Sequence, residues 1–254
     1  MDSQRYFIKL SYKGTKYCGW QVQPKDKTVQ GEINNTLKKL NRNIDVLSMG
    51  CGRTDTGVHA THFYAHFDFS EISNLEQFKF KMNSMLPNDI VIHDVLEVDN
   101  NAHARYDAVS RTYKYFISTH KNAFNWDTVL YNKQRLDLNK MNLACKVLLE
   151  YEDFECFSKV KTEVNNFKCS ISIAKWEIID KNLVFTISAN RFLRNMVRSI
   201  VGTMMSIGQG KLEIDDLHDV IKSKNREYAG KSVSSNGLFL TDVVYPFIEK
   251  KSKK

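Results

Sequence analysis

Proline is scarce in this 254-residue chain, which has only Pro24, Pro87 and Pro246. No proline-, glycine- or serine-rich linker breaks it, so two tightly joined halves are expected rather than separate beads. Cysteine gives no framework either. Cys18, Cys51, Cys145, Cys156 and Cys169 are odd in number and contain no Cys-x-x-Cys spacing, which argues against a disulfide scaffold and a zinc site. Cys51 reads as a reactive thiol or as a small buried residue under a turn. No apolar run approaches the ~18 residues of a membrane span. The opening Met1-Asp2-Ser3-Gln4-Arg5 lacks signal-peptide character, so a soluble, cytoplasmic protein is expected. Walker-type glycine loops and dinucleotide fingerprints are missing too.

Negative charge is in relative deficit. Lys and Arg total 37 against 29 Asp and Glu, giving +8 and a pI near 9.1. That balance suits a polyanionic partner, nucleic acid before acidic lipid. A lysine-rich solvated surface would give the same number, and charge alone leaves both readings open. The end, Glu249-Lys250-Lys251-Ser252-Lys253-Lys254, reads as a frayed basic tail.

Hydrophobic periodicity divides the chain into two α+β halves, 1–104 and 105–248, followed by the tail 249–254. In the first, Tyr6–Tyr12 alternates as a strand. Thr28 can cap a helix carrying Val29, Ile33, Leu37 and Leu40 on one face. A second helix is predicted over Leu75–Met85, stopped by Pro87, and a strand over Ile90–Val98. In the second half, strands are predicted at Arg111–Ser118, Ile171–Ile179, Leu183–Ser188 and Leu238–Tyr245. Helices are predicted at Leu138–Leu149 with Asp137 as cap, Phe192–Ile207 and Ile214–Lys222. No regular βαβ alternation occurs, which favours antiparallel sheet with helices on one face.

The densest chemistry lies in Gly52-Arg53-Thr54-Asp55-Thr56-Gly57-Val58-His59-Ala60. A lone carboxylate sits between two threonines, two residues after a fixed cation. Strand-like runs flank it, Ile44–Leu47 before and Phe63–Phe69 after. Asp55 is therefore expected on a tight polar loop, held ionised by a guanidinium and aimed at a substrate. An aspartic-protease reading needs a second such carboxylate, and the chain has no other Asp-Thr-Gly. One carboxylate suits attack at an anomeric carbon, or proton removal beside it. His59, His62 and His66 alternate with apolar residues; His62 and His66 fit a strand, and His59 fits a role fixing the loop better than metal binding.

Two further patterns point to RNA. On a helix from Phe192, Arg191, Arg194, Asn195 and Arg198 would share one face, opposite Leu193, Met196, Val197, Ile200, Val201 and Met204. A row of arginines with no acid between them would face an anion. In Arg111-Thr112-Tyr113-Lys114-Tyr115-Phe116-Ile117, an exposed aromatic beside cations would be a base-stacking platform; a core tyrosine with its hydroxyl bonded is the alternative.

The loop motif resembles the signature of TruA-type tRNA pseudouridine synthases. The resemblance runs through most of the chain, in Tyr12-Lys13-Gly14-Thr15, Gly19-Trp20-Gln21, Thr28-Val29-Gln30-Gly31, His103-Ala104-Arg105-Tyr106, Arg111–Tyr115, Asn195-Met196-Val197-Arg198 and Ile200-Val201-Gly202. It implies two similar halves forming one continuous mixed, largely antiparallel sheet with a central cleft. It also implies a cofactor-free, homodimeric isomerase acting on uridines 38, 39 and 40 of the tRNA anticodon arm. By the same resemblance Asp55 is the catalyst, Arg198 pairs with its carboxylate, Tyr113 stacks on the target uracil and Arg53 holds the flipped nucleotide or its phosphate. Arg191 and Arg194 extend this to RNA binding. A non-catalytic RNA-binding protein is the alternative. The chain departs from the family pattern at Ser234-Ser235-Asn236 before Gly237-Leu238, where Ala-Pro is common, and at Glu152, where histidine is common.

Overall fold

The structure, a computed structural model, describes residues 3–160 and 166–248; the expected tail 249–254 lies outside them. Contacts divide the chain into two units, Met1–Val109 with Leu240–Lys254, and Ser110–Phe239. The described residues contain five α-helices and nine strands in a mixed, open arrangement, the α+β class expected. None of the described helices is long and apolar enough to cross a membrane.

In the first unit the alternating residues of β1 (Gln4–Tyr12) form the middle strand. Tyr6, Phe7, Ile8 and Leu10 are wholly buried. Next come α1 (Val29–Leu40), β2 (Met49–Gly50), β3 (His59–Phe69), α2 (Leu75–Met85) and β4 (Ile90–Glu97). β1 pairs antiparallel with both β3 and β4, and β2 pairs with β3. Thr28 caps α1 as expected, its hydroxyl accepting from Gly31 N–H at 3.2 Å. Val29, Ile33 and Leu37 form the buried face of that helix. The register between β1 and β4 slips by one residue after Lys9. There the Asn83 amide of α2 bonds both the N–H and the carbonyl of Ile92, each at 2.8 Å. β4 ends the strand order and Ile92 keeps Leu10 as its β1 partner, so a side chain, not a further strand, meets these backbone groups.

One expected strand is not formed. Ile44–Leu47 runs outside the sheet, with Ile44 and Leu47 64% and 77% exposed. Arg42 and Asn43 adopt left-handed backbone, which turns the chain sharply after α1. The Asn34 carboxamide then holds Ser48 by both its N–H and its hydroxyl. Only Met49–Gly50 reaches β3.

The second unit contains β5 (Ser110–Ser118), β6 (Leu130–Tyr131), α3 (Leu138–Leu148), β7 (Ile171–Ile179), β8 (Asn182–Ala189), α4 (Met196–Gly208) and α5 (Ile214–Lys222). β9 (Leu238–Val244) contains the point where the chain leaves this unit. β8 pairs antiparallel with β5 and β7, and β6 runs parallel to β5. Asp137 caps α3 by accepting from Lys140 N–H at 3.0 Å. Asn142 of α3 bonds the carbonyl and N–H of Trp176 at 3.0 and 2.8 Å, as Asn83 does for Ile92.

A buried histidine braces the first unit. His66 of β3 accepts the Ala104 N–H at Nδ1, 3.0 Å away. Burial, then the Arg5 and His103 charges, lower its pKa to about 4. The folded form therefore resists a proton that the unfolded chain takes up below its ordinary value of 6.5. The His66 contribution is complete above pH 6.5 and should be lost between 6.5 and 4, by about 2 kcal/mol after allowance for solvent screening. Urea melts across that range should show the loss, and His66→Gln, which cannot titrate there, should remove the His66 share of it while the lowered His62, His93 and His103 keep theirs.

Candidate active-site loop and arginine strap

After β2 the chain leaves the sheet at Cys51, whose N–H still donates to the Tyr64 carbonyl at 2.8 Å. It then makes a β-turn at Asp55-Thr56-Gly57-Val58, closed by Val58 N–H to the Asp55 carbonyl at 3.1 Å. Gly57 has φ +79° at the third turn position, a conformation that glycine adopts without strain. Thr54 and Val58 are buried on either side, Asp55 is half-buried, and Arg53 and Thr56 are exposed. The carboxylate thus sits on a polar turn with both flanks anchored.

The anchor is the segment between β1 and α1. Trp20 N–H donates to the Thr54 carbonyl at 3.2 Å, and Gly57 N–H to the Tyr17 carbonyl at 3.3 Å. The Tyr12 and Thr54 hydroxyls bond at 2.9 Å. Gly14 N–H donates to Nδ1 of His59 at 3.0 Å; His59 thus fastens the loop at the first residue of β3. Two backbones meet here at glycine distance. A Cβ on Gly14 would lie 2.0 Å from the Val58 carbonyl oxygen, and one on Gly19, at φ +83°, 2.3 Å from that of Thr54. Trp20 stacks on Phe63 with ring centroids 4.1 Å apart and fixes the other end of the segment. The Tyr17 hydroxyl donates to the Asp89 carboxylate, and burial together with that bond holds it protonated. Asp55 can serve as an acid, base or nucleophile without the loop having to order first.

In the second unit Tyr113 is half-buried on β5, opposite Ile187 of β8, and the Phe192 ring meets it edge-on at 5.1 Å. Tyr115 and Ile117 are buried, so the core reading holds for them. Arg111 donates to the Asn190 carbonyl at 2.8 Å. The arginine row expected on one helical face is not formed. α4 begins only at Met196, because Asn195 is left-handed at φ +67°. Arg191 and Arg194 precede it on irregular backbone, and of the three arginines only Arg198 is helical. The Arg191 N–H donates to the Asn190 side chain, and the Arg194 carbonyl accepts from Lys159 N–H. Arg198 Nε donates to the Val233 carbonyl at 2.8 Å, and Val233 N–H returns a bond to the Arg198 carbonyl at 3.2 Å. Asp55 and Arg53 belong to the first unit; Tyr113, Arg191, Arg194 and Arg198 belong to the second.

Comparison with known proteins shows the family. Residues 144–246 match the family model described as tRNA pseudouridine synthase. The chain is 49% identical to the tRNA pseudouridine synthase A of Parabacteroides distasonis over 96% of each chain. It is 48% identical to that of Azobacteroides pseudotrichonymphae over 95% of this chain and 97% of the other. The chain belongs to the tRNA pseudouridine synthase A family. Similarity extends to the Bacillus pumilus synthase, 38% identical over 93% of this chain and 97% of that one.

For a tRNA pseudouridine synthase, sequence reasoning found the loop and passed over what holds it. Gly14 and Gly19 were visible only as parts of short motifs, and nothing in their spacing announces two backbones in contact. Val233, which bonds Arg198, and the Arg226–Ser232 pair near it in the chain carry no motif at all. Gly19→Ala should strain a positive φ and force the Thr54 carbonyl away. We expect a loss of about 1–3 kcal/mol in stability with a displaced Asp55 turn, read by thermal melting and by amide exchange at Gly57 and Val58.

Proposed function

We propose that this synthase isomerises uridine to pseudouridine at positions 38, 39 and 40 of the tRNA anticodon arm, with Asp55 as the catalytic nucleophile or base. The observation that carries the reading is the half-buried carboxylate on the clamped turn, inside the signature Gly52–Ala60. Uridine and pseudouridine are isomers, so the net reaction consumes no oxidant or reductant. Asp55 either adds to C1′ or removes a proton from the ribose. The N1–C1′ bond breaks and the uracil turns; as C5 bonds to C1′, the Asp55–C1′ bond breaks or, on the other route, the ribose proton is returned, and then the C5 proton leaves and N1 gains a proton. The target base must leave the helical stack before its sugar can be reached.

The remaining roles follow the family resemblance. Tyr113 stacks on the extruded uracil, and Phe192 against its edge fits a ring held in one plane. Arg198 pairs with the Asp55 carboxylate and favours its anionic form. Arg53, exposed beside Asp55, takes the flipped nucleotide or its phosphate. Arg191 and Arg194 bind RNA from irregular backbone rather than from a helical face. The net charge of +8 suits a polyanionic tRNA and a salt-dependent affinity. The working form is a cytoplasmic homodimer in which one tRNA touches both subunits.

The test is Asp55→Asn, which keeps the shape of the side chain and removes the charge. Pseudouridine mapping of tRNA from cells carrying only this variant should find uridine at all three positions. In vitro the rate should fall by about a thousand-fold or more, with tRNA affinity within a few-fold of wild type. Wild-type turnover in the variant would remove Asp55 from its role. A wild-type protein that binds tRNA and forms no pseudouridine would favour the non-catalytic RNA-binding reading.

A further inference from the structure

Arg198 is held by a strap, residues 226–234, that crosses the start of α4. The strap lies too close for side chains at two points. A Cβ on Gly202 of α4 would sit 1.9 Å from the Lys231 carbonyl oxygen, and one on Gly230 2.7 Å from Thr203 N. Gly230 N–H donates to the Thr203 hydroxyl at 2.9 Å. At the far end the Tyr115 hydroxyl donates to the Ser234 carbonyl at 2.7 Å. Between these ties lies Val233, whose carbonyl takes Nε of Arg198. That bond holds the guanidinium by its Nε edge.

Ser232, next to Val233, is where three segments meet. Its hydroxyl oxygen receives Nδ2 of Asn195 at 2.6 Å and Nη2 of Arg226 at 2.9 Å. Nη1 of Arg226 donates to the Ala229 carbonyl at 3.1 Å. Both of these acceptors of the half-buried guanidinium are neutral oxygens, and burial lowers its pKa. Desolvating a permanent cation for two neutral acceptors is costly. A residue that only packed the strap could do so without a charge. Asn195, in turn, uses its side chain on Ser232 while its backbone takes the left-handed turn that starts α4 one turn before Arg198.

We infer that Arg226, Ser232 and Asn195 form a relay that positions the Arg198 guanidinium for the reaction. They are positioning residues and touch no substrate. Arg226 clamps Ser232, Ser232 joins the strap to the turn at Asn195, and the adjoining Val233 carbonyl then presents Arg198 in one orientation. The inference rests on the reading that Arg198 acts on the catalytic carboxylate.

The experiment uses the full chain and a tRNA transcript labelled with tritium at uridine C5, which is released once per isomerisation. Single-turnover rates are read at saturating enzyme. Ser232→Ala and Arg226→Lys should each slow the step by about 10- to 100-fold, with tRNA Kd within about threefold. Lysine keeps the charge but donates from one point, so it cannot serve both acceptors. Ser232→Thr, which keeps the hydroxyl, should recover most of the rate. In an Arg198→Ala background, Ser232→Ala should cost less than about twofold more, because a relay acting through Arg198 has nothing left to orient. Wild-type rates in both single variants, or the same factor with and without the Arg198 side chain, would overturn the relay. A wild-type rate for Arg198→Ala alone would instead overturn the underlying role of Arg198. Circular dichroism and melting temperature establish that each variant compared is folded, and the two single variants attack the relay at separate residues.

Discussion

Two stretches of backbone in direct contact underlie the Asp55 site. The segment from Tyr12 to Trp20 lies against the turn from Thr54 to His59 at a separation that leaves no room for a Cβ at Gly14 or Gly19. Close approach lets main-chain groups of each stretch satisfy the other: Trp20 with Thr54, Gly57 with Tyr17, Gly14 with His59. A polar loop at the end of a sheet ordinarily relies on water for such partners. Here the partners are protein, and the flanking Thr54 and Val58 are buried as a result. Asp55 between them remains half-buried.

The same economy recurs in the second unit. Gly202 and Gly230 let a strap touch α4, and the strap's Val233 carbonyl then holds Arg198. Each unit also uses one helical asparagine to close both backbone valences of a strand residue, Asn83 on Ile92 and Asn142 on Trp176. A carboxamide has one donor and one acceptor arranged like a peptide edge, so it can replace a missing strand partner. The two units thus repeat a device as well as a composition of strands and helices.

Much of this was legible from the residues. Amphipathic helices with clear caps, such as the one after Thr28 and the one after Asp137, begin where their signals stand. Leu75–Met85 and Ile214–Lys222 matched to the residue, because pattern, cap and stop coincide there. Ile44–Leu47 failed because alternation describes a strand only when a partner is within reach; after the left-handed turn at Arg42–Asn43 the segment buries Val46 alone and leaves Ile44 and Leu47 exposed. The arginine row failed at a single dihedral. Asn195 tolerates the left-handed region, and one such residue breaks a helical face that periodicity alone would extend. At the site, the acid and its turn were visible as a motif. The glycine contacts and the Asn195–Ser232 junction were not, since they join residues tens of positions apart and depend on distance rather than residue type.

The contact at Gly14 and Gly19 bears on what RNA has to contribute. A loop already fastened by protein groups loses little conformational freedom when substrate arrives. The entropic toll of assembling the reactive geometry is met during folding of the enzyme, not at each turnover. On the proposed reading, binding energy then has to offset the unstacking of one nucleotide, a cost that belongs to the nucleic acid. Selectivity among uridines can then follow local helix stability: a pyrimidine whose neighbours stack weakly enters a rigid site more readily than one locked in a firm duplex.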